Sequence, residues 1–247
     1  MINKSTVKYI QSLSSKKFRN TAESFIAEGP KLVTELITDN IFKCESVFCT
    51  QKGAKELPKN LAERLGDGIH IIEDFELDKI SSLKTANNML AVFKKKEADP
   101  APDYAGKLTL VLYDIQDPGN LGTIIRIADW FGIENIFCSE TTVDCYNTKV
   151  VQSTMASLGR VNMNYGSIEN LFSENEKIKK YAAVIDGDDV KDFGKIDEGF
   201  IIIGNESKGI SVAILQFASE KISINKKGYA ESLNAAVAAG IILFAVS

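Results

Sequence analysis

The sequence predicts an α/β protein in which a domain built on an open parallel sheet follows a smaller α/β domain. Three observations carry this. Short continuous apolar runs, such as Leu108–Tyr113, recur through the second half and have the character of strands buried on both faces. Helical patterns alternate with these runs, as a parallel sheet with crossover helices requires. Between the halves lies Lys94–Lys107 (KKKEADPAPDYAGK), with two of the five prolines, a charge run and a glycine but no apolar period. Such a stretch reads as an interdomain linker, giving domains over 1–93 and 107–247 joined by 94–106.

In the first part, Ala22–Ile37 has apolar residues at helical spacing (Leu32, Val33, Leu36, Ile37). Cys44–Cys49 and Ile69–Ile72 have the look of short strands, Asp74–Ser82 of a helix, and Met89–Phe93 of another strand. In the second part, the strand Leu108–Tyr113 gives way to a polar turn, Asp114–Asn120, and a helix from about Leu121 to Phe131. Asn135–Cys138 is the next strand and Asn147–Ser157 the next helix. Tyr181–Ile185 is a strand followed by an acidic DGDD turn. Phe200–Ile203 is a strand running straight into Gly204–Gly209, and Lys221–Ile224 is the last strand. Ser232–Val246 closes the chain as a helix, with Ser232 as its expected N-cap. In open sheets of this type the ligand site lies beyond the carboxyl ends of the strands.

Composition narrows the function classes. The chain has 247 residues, 45% apolar and 25% charged, which is ordinary globular usage and excludes a disordered tail, a collagen repeat or a disulfide miniprotein. A single histidine, His70, excludes a His-rich metal site or a histidine relay. Cys44, Cys49, Cys138 and Cys145 form no C-x-x-C pair, so reduced thiols in a cytoplasmic protein are expected, and no metal. The start, MINKSTVKYIQSLSSKKF, has no apolar core of a signal peptide. The longest apolar run, Ala235–Val246, is too short to span a bilayer. Net charge is -4 from 29 basic and 33 acidic residues. The first twenty residues nevertheless hold Lys4, Lys8, Lys16, Lys17 and Arg19 and no acid, either a solvated basic terminus or a small footprint for a polyanion.

Three segments carry chemistry. Asp117-Pro118-Gly119-Asn120-Leu121-Gly122 runs from a strand end into a helix, with Arg126 one turn beyond Gly122. It has neither the G-x-G-x-x-G spacing of a dinucleotide loop nor the G-K-[ST] of a P-loop. Ile203-Gly204-Asn205-Glu206-Ser207-Lys208-Gly209 puts a carboxylate directly after a buried strand. Ile222-Ser223-Ile224-Asn225 leads through a glycine-containing loop to Ser232-Leu233-Asn234. Read singly, each is consistent with a plain turn or helix cap.

Together they resemble the SpoU (TrmH-like) family of the SPOUT superfamily of RNA methyltransferases. The family's Asn-x-Gly-x-x-x-Arg is matched by Asn120, Gly122 and Arg126. Its Gly-x-Glu-x-x-Gly is matched by Gly204, Glu206 and Gly209, and its Ser-Leu-Asn by Ser232, Leu233 and Asn234. The N-terminal stretch SSKKFRNTAESFIAEGPKLVTELI is similar to the start of the substrate-binding domain of many members, which resembles a ribosomal-protein fold. Two positions depart from the pattern: Asn225 stands where a proline is usual, and Ala235 where a valine is usual.

The resemblance implies a trefoil-knot α/β domain, a homodimer, and S-adenosylmethionine (SAM) as methyl donor to a ribose 2′-hydroxyl. Ribosomal RNA is favoured over transfer RNA as substrate. It places Arg126, Asn120, Glu206, Ser232 and Asn234 in the catalytic set. Ile203, Gly204, Asn205, Ile224 and Leu233 fall at the cofactor, with no metal and no membrane involved. Two alternatives stand beside it: a non-catalytic RNA-binding or ribosome-assembly protein with the knot fold, and an ordinary Rossmann enzyme, which the missing G-x-G-x-x-G disfavours.

Overall fold

The structure is a computed structural model and describes residues 2–97 and 102–247. Residues 98–101, within the expected linker 94–106, lie outside the described residues. In chain order the first elements are α1 (Lys4–Ser12), α2 (Lys16–Ala22), β1 (Ser24–Glu28), α3 (Pro30–Asp39) and β2 (Cys44–Cys49). They continue with α4 (Gln51–Glu56), α5 (Lys59–Leu65), β3 (Ile69–Ile71), α6 (Asp74–Ile80) and β4 (Met89–Lys94). There follow β5 (Leu108–Leu112), α7 (Pro118–Trp130), β6 (Asn135–Ser139), α8 (Thr148–Thr154), β7 (Asn162–Gly166) and α9 (Ile168–Glu174). The chain ends with β8 (Lys180–Asp189), β9 (Gly199–Ile203), α10 (Val212–Leu215), β10 (Glu220–Ser223) and α11 (Ala235–Val246).

Packing divides the chain into two units. The first comprises 1–97 and 144–159, the second 98–143 and 160–247. The helix expected at Asn147–Ser157 is therefore present as α8, but it belongs with the N-terminal unit and not with the domain its sequence position suggests.

The first unit is a four-stranded sheet in the order β1-β4-β2-β3, with β1 and β2 antiparallel to β4 and β2 parallel to β3. Alternation along β1 sends successive side chains to opposite faces. Phe25 stacks on Phe93 and meets Phe42 and Tyr146, while Ile26 joins Ile10, Leu13, Phe48, Leu77, Leu90 and Val92. Both faces are covered, so all five β1 residues are buried. The apolar spacing of Ala22–Ile37 is helical only from Pro30 onward; the first part is this strand, its two-sided burial mimicking a helical period.

Residues 144–159 are tied in by Arg19, which is buried despite its place in the basic N-terminal cluster. Its Nε and Nη2 donate to Asp144 Oδ2 at 3.0 and 2.6 Å, and its Nη1 donates to the Leu13 and Ser14 carbonyls at 2.9 and 2.8 Å. Arg19 is thus no part of a polyanion footprint; Lys4, Lys8, Lys16 and Lys17 remain exposed. All four cysteines are free thiols, and burial pushes Cys44 up to about 11.

The second unit is a six-stranded all-parallel sheet in the order β10-β8-β9-β5-β6-β7. Its central strands β5 and β9 are the apolar runs of the sequence. They are buried on both faces, against a cluster that includes Val111, Phe172, Phe200 and Ile202 on one side. β8 runs longer than the sequence suggests and takes in the DGDD segment as strand. Its pairing with β10 jumps: Lys221 pairs with Ala182, but the next residue, Ile222, pairs with Asp188. Residues 183–187 of β8 are passed over there. Gly187 lies so close to β10 that an added Cβ would sit 2.7 Å from the Lys221 carbonyl.

Candidate active site

The carboxyl ends of β9, β10 and the middle of β8 open onto a cleft of about 1040 Å³. Its walls are the β8 segment Ala183–Asp186, the loop after β9 from Gly204 to Ile210, and the loop after β10 that leads into α11. All five residues expected at the cofactor, Ile203, Gly204, Asn205, Ile224 and Leu233, line it. Sequence reasoning missed Ala183–Asp186 and Ile210, because only the skipped pairing of β8 turns the former toward the opening.

The loop after β9 is a closed turn. Asn205 N–H donates to Gly209 O at 3.2 Å and Gly209 N–H returns to Asn205 O at 2.9 Å. Asn205 Oδ1 accepts from Ser207 and Lys208 N–H at 2.9 and 3.0 Å, an Asx turn inside the loop. Its Nδ2 donates to the Asp114 carbonyl at 2.8 Å. These bonds engage both the backbone and the side-chain amide of Asn205, so it builds the wall of the cleft. Gly204 is required here by close approach: a Cβ would fall 2.6 Å from the Gly209 carbonyl carbon.

The turn after β5 is held at the other end of that bond. Asp114 has φ 55°, the left-handed region, and its N–H donates to Ser139 Oγ at 2.9 Å. Nothing in a Tyr-Asp-Ile sequence signals this clamp. Asp117 then caps α7, accepting from Asn120 N–H at 2.9 Å, with Pro118 in the first helical position.

Three motifs meet at Asn120. Its Nδ2 donates to Glu206 Oε1, and its Oδ1 accepts from Asn234 Nδ2 at 2.8 Å. Asn234, not Ser232, is the N-cap of α11, which starts at Ala235; its Oδ1 accepts from Ala236 and Val237 N–H at 3.0 and 3.2 Å. The chain of bonds has one direction only. The helix N–H groups make Asn234 Oδ1 an acceptor, which leaves its Nδ2 to donate to Asn120, which in turn must donate to a carboxylate. Glu206 thus terminates a relay that begins at the positive end of a helix.

Arg126 and Ser232 are not drawn into this chain. Both are exposed, and among the described residues neither side chain makes a hydrogen bond or ion pair. Among the described residues no group of three or more His, Cys, Asp or Glu is arranged to hold a metal, and no helix is long and apolar enough to cross a membrane.

Residues 107–244, more than half of the chain, match the model of the SpoU rRNA methylase family. The chain belongs to the SpoU family. Residues 4–91 match the model of the MRM3-like substrate-binding domain. The 23S rRNA (guanosine(2553)-2′-O)-methyltransferase RlmP of Bacillus subtilis is 27% identical over 241 residues, covering 96% of this chain and 94% of its own. A TrmH-family structure from Porphyromonas gingivalis superposes with a TM-score of 0.85 at 30% identity, over 99% of this chain and 98% of that one. An AdoMet-bound rRNA methyltransferase from Sinorhizobium meliloti superposes with a TM-score of 0.84 at 27% identity, over 99% and 95%.

Proposed function

We propose that this SpoU protein is a SAM-dependent methyltransferase acting on a ribose 2′-hydroxyl in RNA, ribosomal RNA before transfer RNA. The observation that carries the reading is the Glu206–Asn120–Asn234 chain, which ties the three family motifs together beside one cleft. The activities named for the Bacillus and Sinorhizobium relatives support the substrate and the methyl donor.

The cleft fits the donor. Its volume, about 1040 Å³, is ample for a nucleoside with a short side chain, and its lining mixes Ile203, Ile210, Ile224, Leu233 and Ile242 with exposed main chain. SAM, when bound, supplies an electrophilic methyl on a sulfonium. The chain's own task is to hold the ribose oxygen in line and to ease loss of its proton, since a free hydroxyl is a weak nucleophile at neutral pH. The protein's one imidazole, His70, is on β3 in the other unit, where it stacks on Phe48. A guanidinium is a poor base, so the role given to Arg126 is to grip the adjacent phosphate and polarise the hydroxyl, the proton leaving to a phosphate oxygen or water. Asn120 and Asn234 act through each other to fix the 232–234 segment, leaving the Ser232 hydroxyl for the ribose.

The expected homodimer finds support in α11. The helix carries no charged residue, yet Val237, Ile241 and Phe244 are exposed, and Trp130 at the end of the neighbouring α7 is 85% exposed. A helix apolar all round is a buried one, and this apolar surface calls for a partner. A second copy of the chain is the partner proposed, in the cytoplasm. We also propose that the catalytic end of the sheet is knotted, with the passed-over β8 segment and the loop before α11 as the crossing strands of chain.

The deciding experiment incubates wild-type protein and Arg126→Ala with labelled SAM and RNA or ribosomal particles from cells lacking this protein, followed by nucleoside mass spectrometry. Wild type is expected to yield a 2′-O-methylnucleoside. Arg126→Ala is expected to lose it while binding SAM normally, with Arg126→Lys recovering little turnover. A near wild-type rate for Arg126→Lys would sink the role given to Arg126. Absence of both product and SAM binding in the wild type would favour a non-catalytic RNA-binding protein.

A further inference from the structure

The cleft has a rim that the reaction chemistry does not explain. Residues 225–234 are ten consecutive exposed positions between the buried Ile222–Ser223 and the buried Ala235. The loop is anchored at both ends, by Ser223 Oγ donating to Gly187 O at 2.8 Å and by Asn234 on Asn120 and α11. Between the anchors it carries Asn-Lys-Lys-Gly-Tyr, 225–229, with open space around Gly228. Tyr229 is 102% exposed, so its ring gives the fold nothing.

Several cations of the second unit are already held, and Arg126, Lys177, Lys191 and Lys221, which make no ion pair among the described residues, do not line the cleft. Lys107, Arg160, Lys179 and Lys195 pair with Glu134, Asp129, Glu220 and Asp197, and the Lys180 ammonium is held by the Asn175 and Glu176 carbonyls. Lys226 and Lys227 on this loop, and Lys208 on the loop after β9, are exposed, line the cleft and make no ion pair among the described residues. In a chain of net charge -4, a polyanion has to be held by a local cluster of cations, not by the general field. The acids lining the same cleft are Asp186, Glu206 and Glu231, and Glu206 is already engaged by Asn120.

We propose that the 225–231 loop is the RNA-docking element of the cleft: Lys226 and Lys227, with Lys208 on the other loop, hold phosphates flanking the target ribose, and Tyr229 stacks on an unpaired base beside it. Phosphate contacts set the register of the strand, and stacking on an aromatic ring is the general way in which a protein receives a base lifted out of a helix. The inference rests on the RNA 2′-O-methylation reading and adds that the substrate presents at least one unstacked nucleotide.

The test uses the full chain and reads RNA binding separately from methyl transfer. Unmodified rRNA transcribed in vitro is titrated between about 50 and 200 mM salt against wild type, Lys226→Ala/Lys227→Ala, Tyr229→Ala and Tyr229→Phe. SAM affinity is measured in parallel by calorimetry. The double lysine variant should lower the slope of log affinity against log salt by about 1.4 to 1.8, two phosphate contacts' worth. Tyr229→Ala should weaken RNA binding and raise its KM about tenfold, with Tyr229→Phe close to wild type and SAM affinity unchanged in all. Unchanged RNA affinity and salt slope would overturn the proposal. So would loss of SAM binding in the loop variants, which would make the loop a lid on the methyl donor. A wild type that binds RNA with these dependences but transfers no methyl would refute the reaction and uphold the docking loop; one that binds no RNA overturns both.

Discussion

Asn120 is the residue on which the site turns, because both ends of its amide are committed and in opposite senses. Asn120→Ala leaves the Glu206 carboxylate and the Asn234 amide without their partner. A fall in kcat of about ten- to a hundredfold with little change in SAM affinity is expected. Asn120→Asp should be worse, since it sets a second carboxylate against Glu206. Steady-state kinetics on both variants checks the order. In the first unit, the Arg19–Asp144 pair makes the corresponding stability prediction. Asp144→Ala would leave a guanidinium buried without its counter-charge, and a loss of about 3–5 kcal/mol in urea unfolding is expected. Replacing Arg19 with methionine, which removes the charge as well, should cost less. The family resemblance leads one to expect Glu206 to fix either the neighbouring loops or Asn120 by hydrogen bonds; the structure shows the bond to Asn120, across 86 positions of chain. Ser232 was the natural N-cap by residue type; Asn234 takes the place because its side chain is also the one that reaches Asn120.

At the scale of elements, the legible parts are the strands buried on both faces. β5 and β9 read directly from Leu108–Tyr113 and Phe200–Ile203, because a parallel strand covered on both sides is a near-continuous apolar run, here broken only by Thr109. β1 was hidden for the same reason: its unbroken burial merges with the helical period of α3. The excursion of β8 was hidden because DGDD has turn composition while the neighbouring chain holds it extended against β10. The loop after β9 is the element where sequence and geometry agree most closely, and Gly204 tests it. Gly204→Ala would press a methyl into the Gly209 carbonyl, 2.6 Å away, and must open the closed turn. The expected result is at least a tenfold loss of SAM affinity by calorimetry with the Glu206 side chain still present. Gly209, at φ 65°, should also resist alanine, but through backbone strain of about 1 kcal/mol and not through a clash.

For the whole molecule, the proposed dimer is the property with the clearest single readout. Phe244→Glu combined with Trp130→Glu puts charge on two exposed apolar positions of α11 and α7 and should leave the second unit folded. Light scattering is expected to report a dimer for wild type and a monomer for the double variant. A monomeric wild type would remove the dimer from the functional account.

The sequence by itself determined the α/β class, the parallel character of the main sheet and the three segments that gather at the cleft. Strand burial and glycine turns are written locally, in runs of a few residues. Only the tertiary structure decided that 144–159 pack with the N-terminal unit, that Arg19 is an interior ion pair, that β8 is passed over by β10 to line the cleft, and that Glu206, Asn120 and Asn234 are one relay. Each of these depends on contacts between residues far apart in the chain, where a charge or an amide has no partner until folding brings one, and desolvation then leaves it no other.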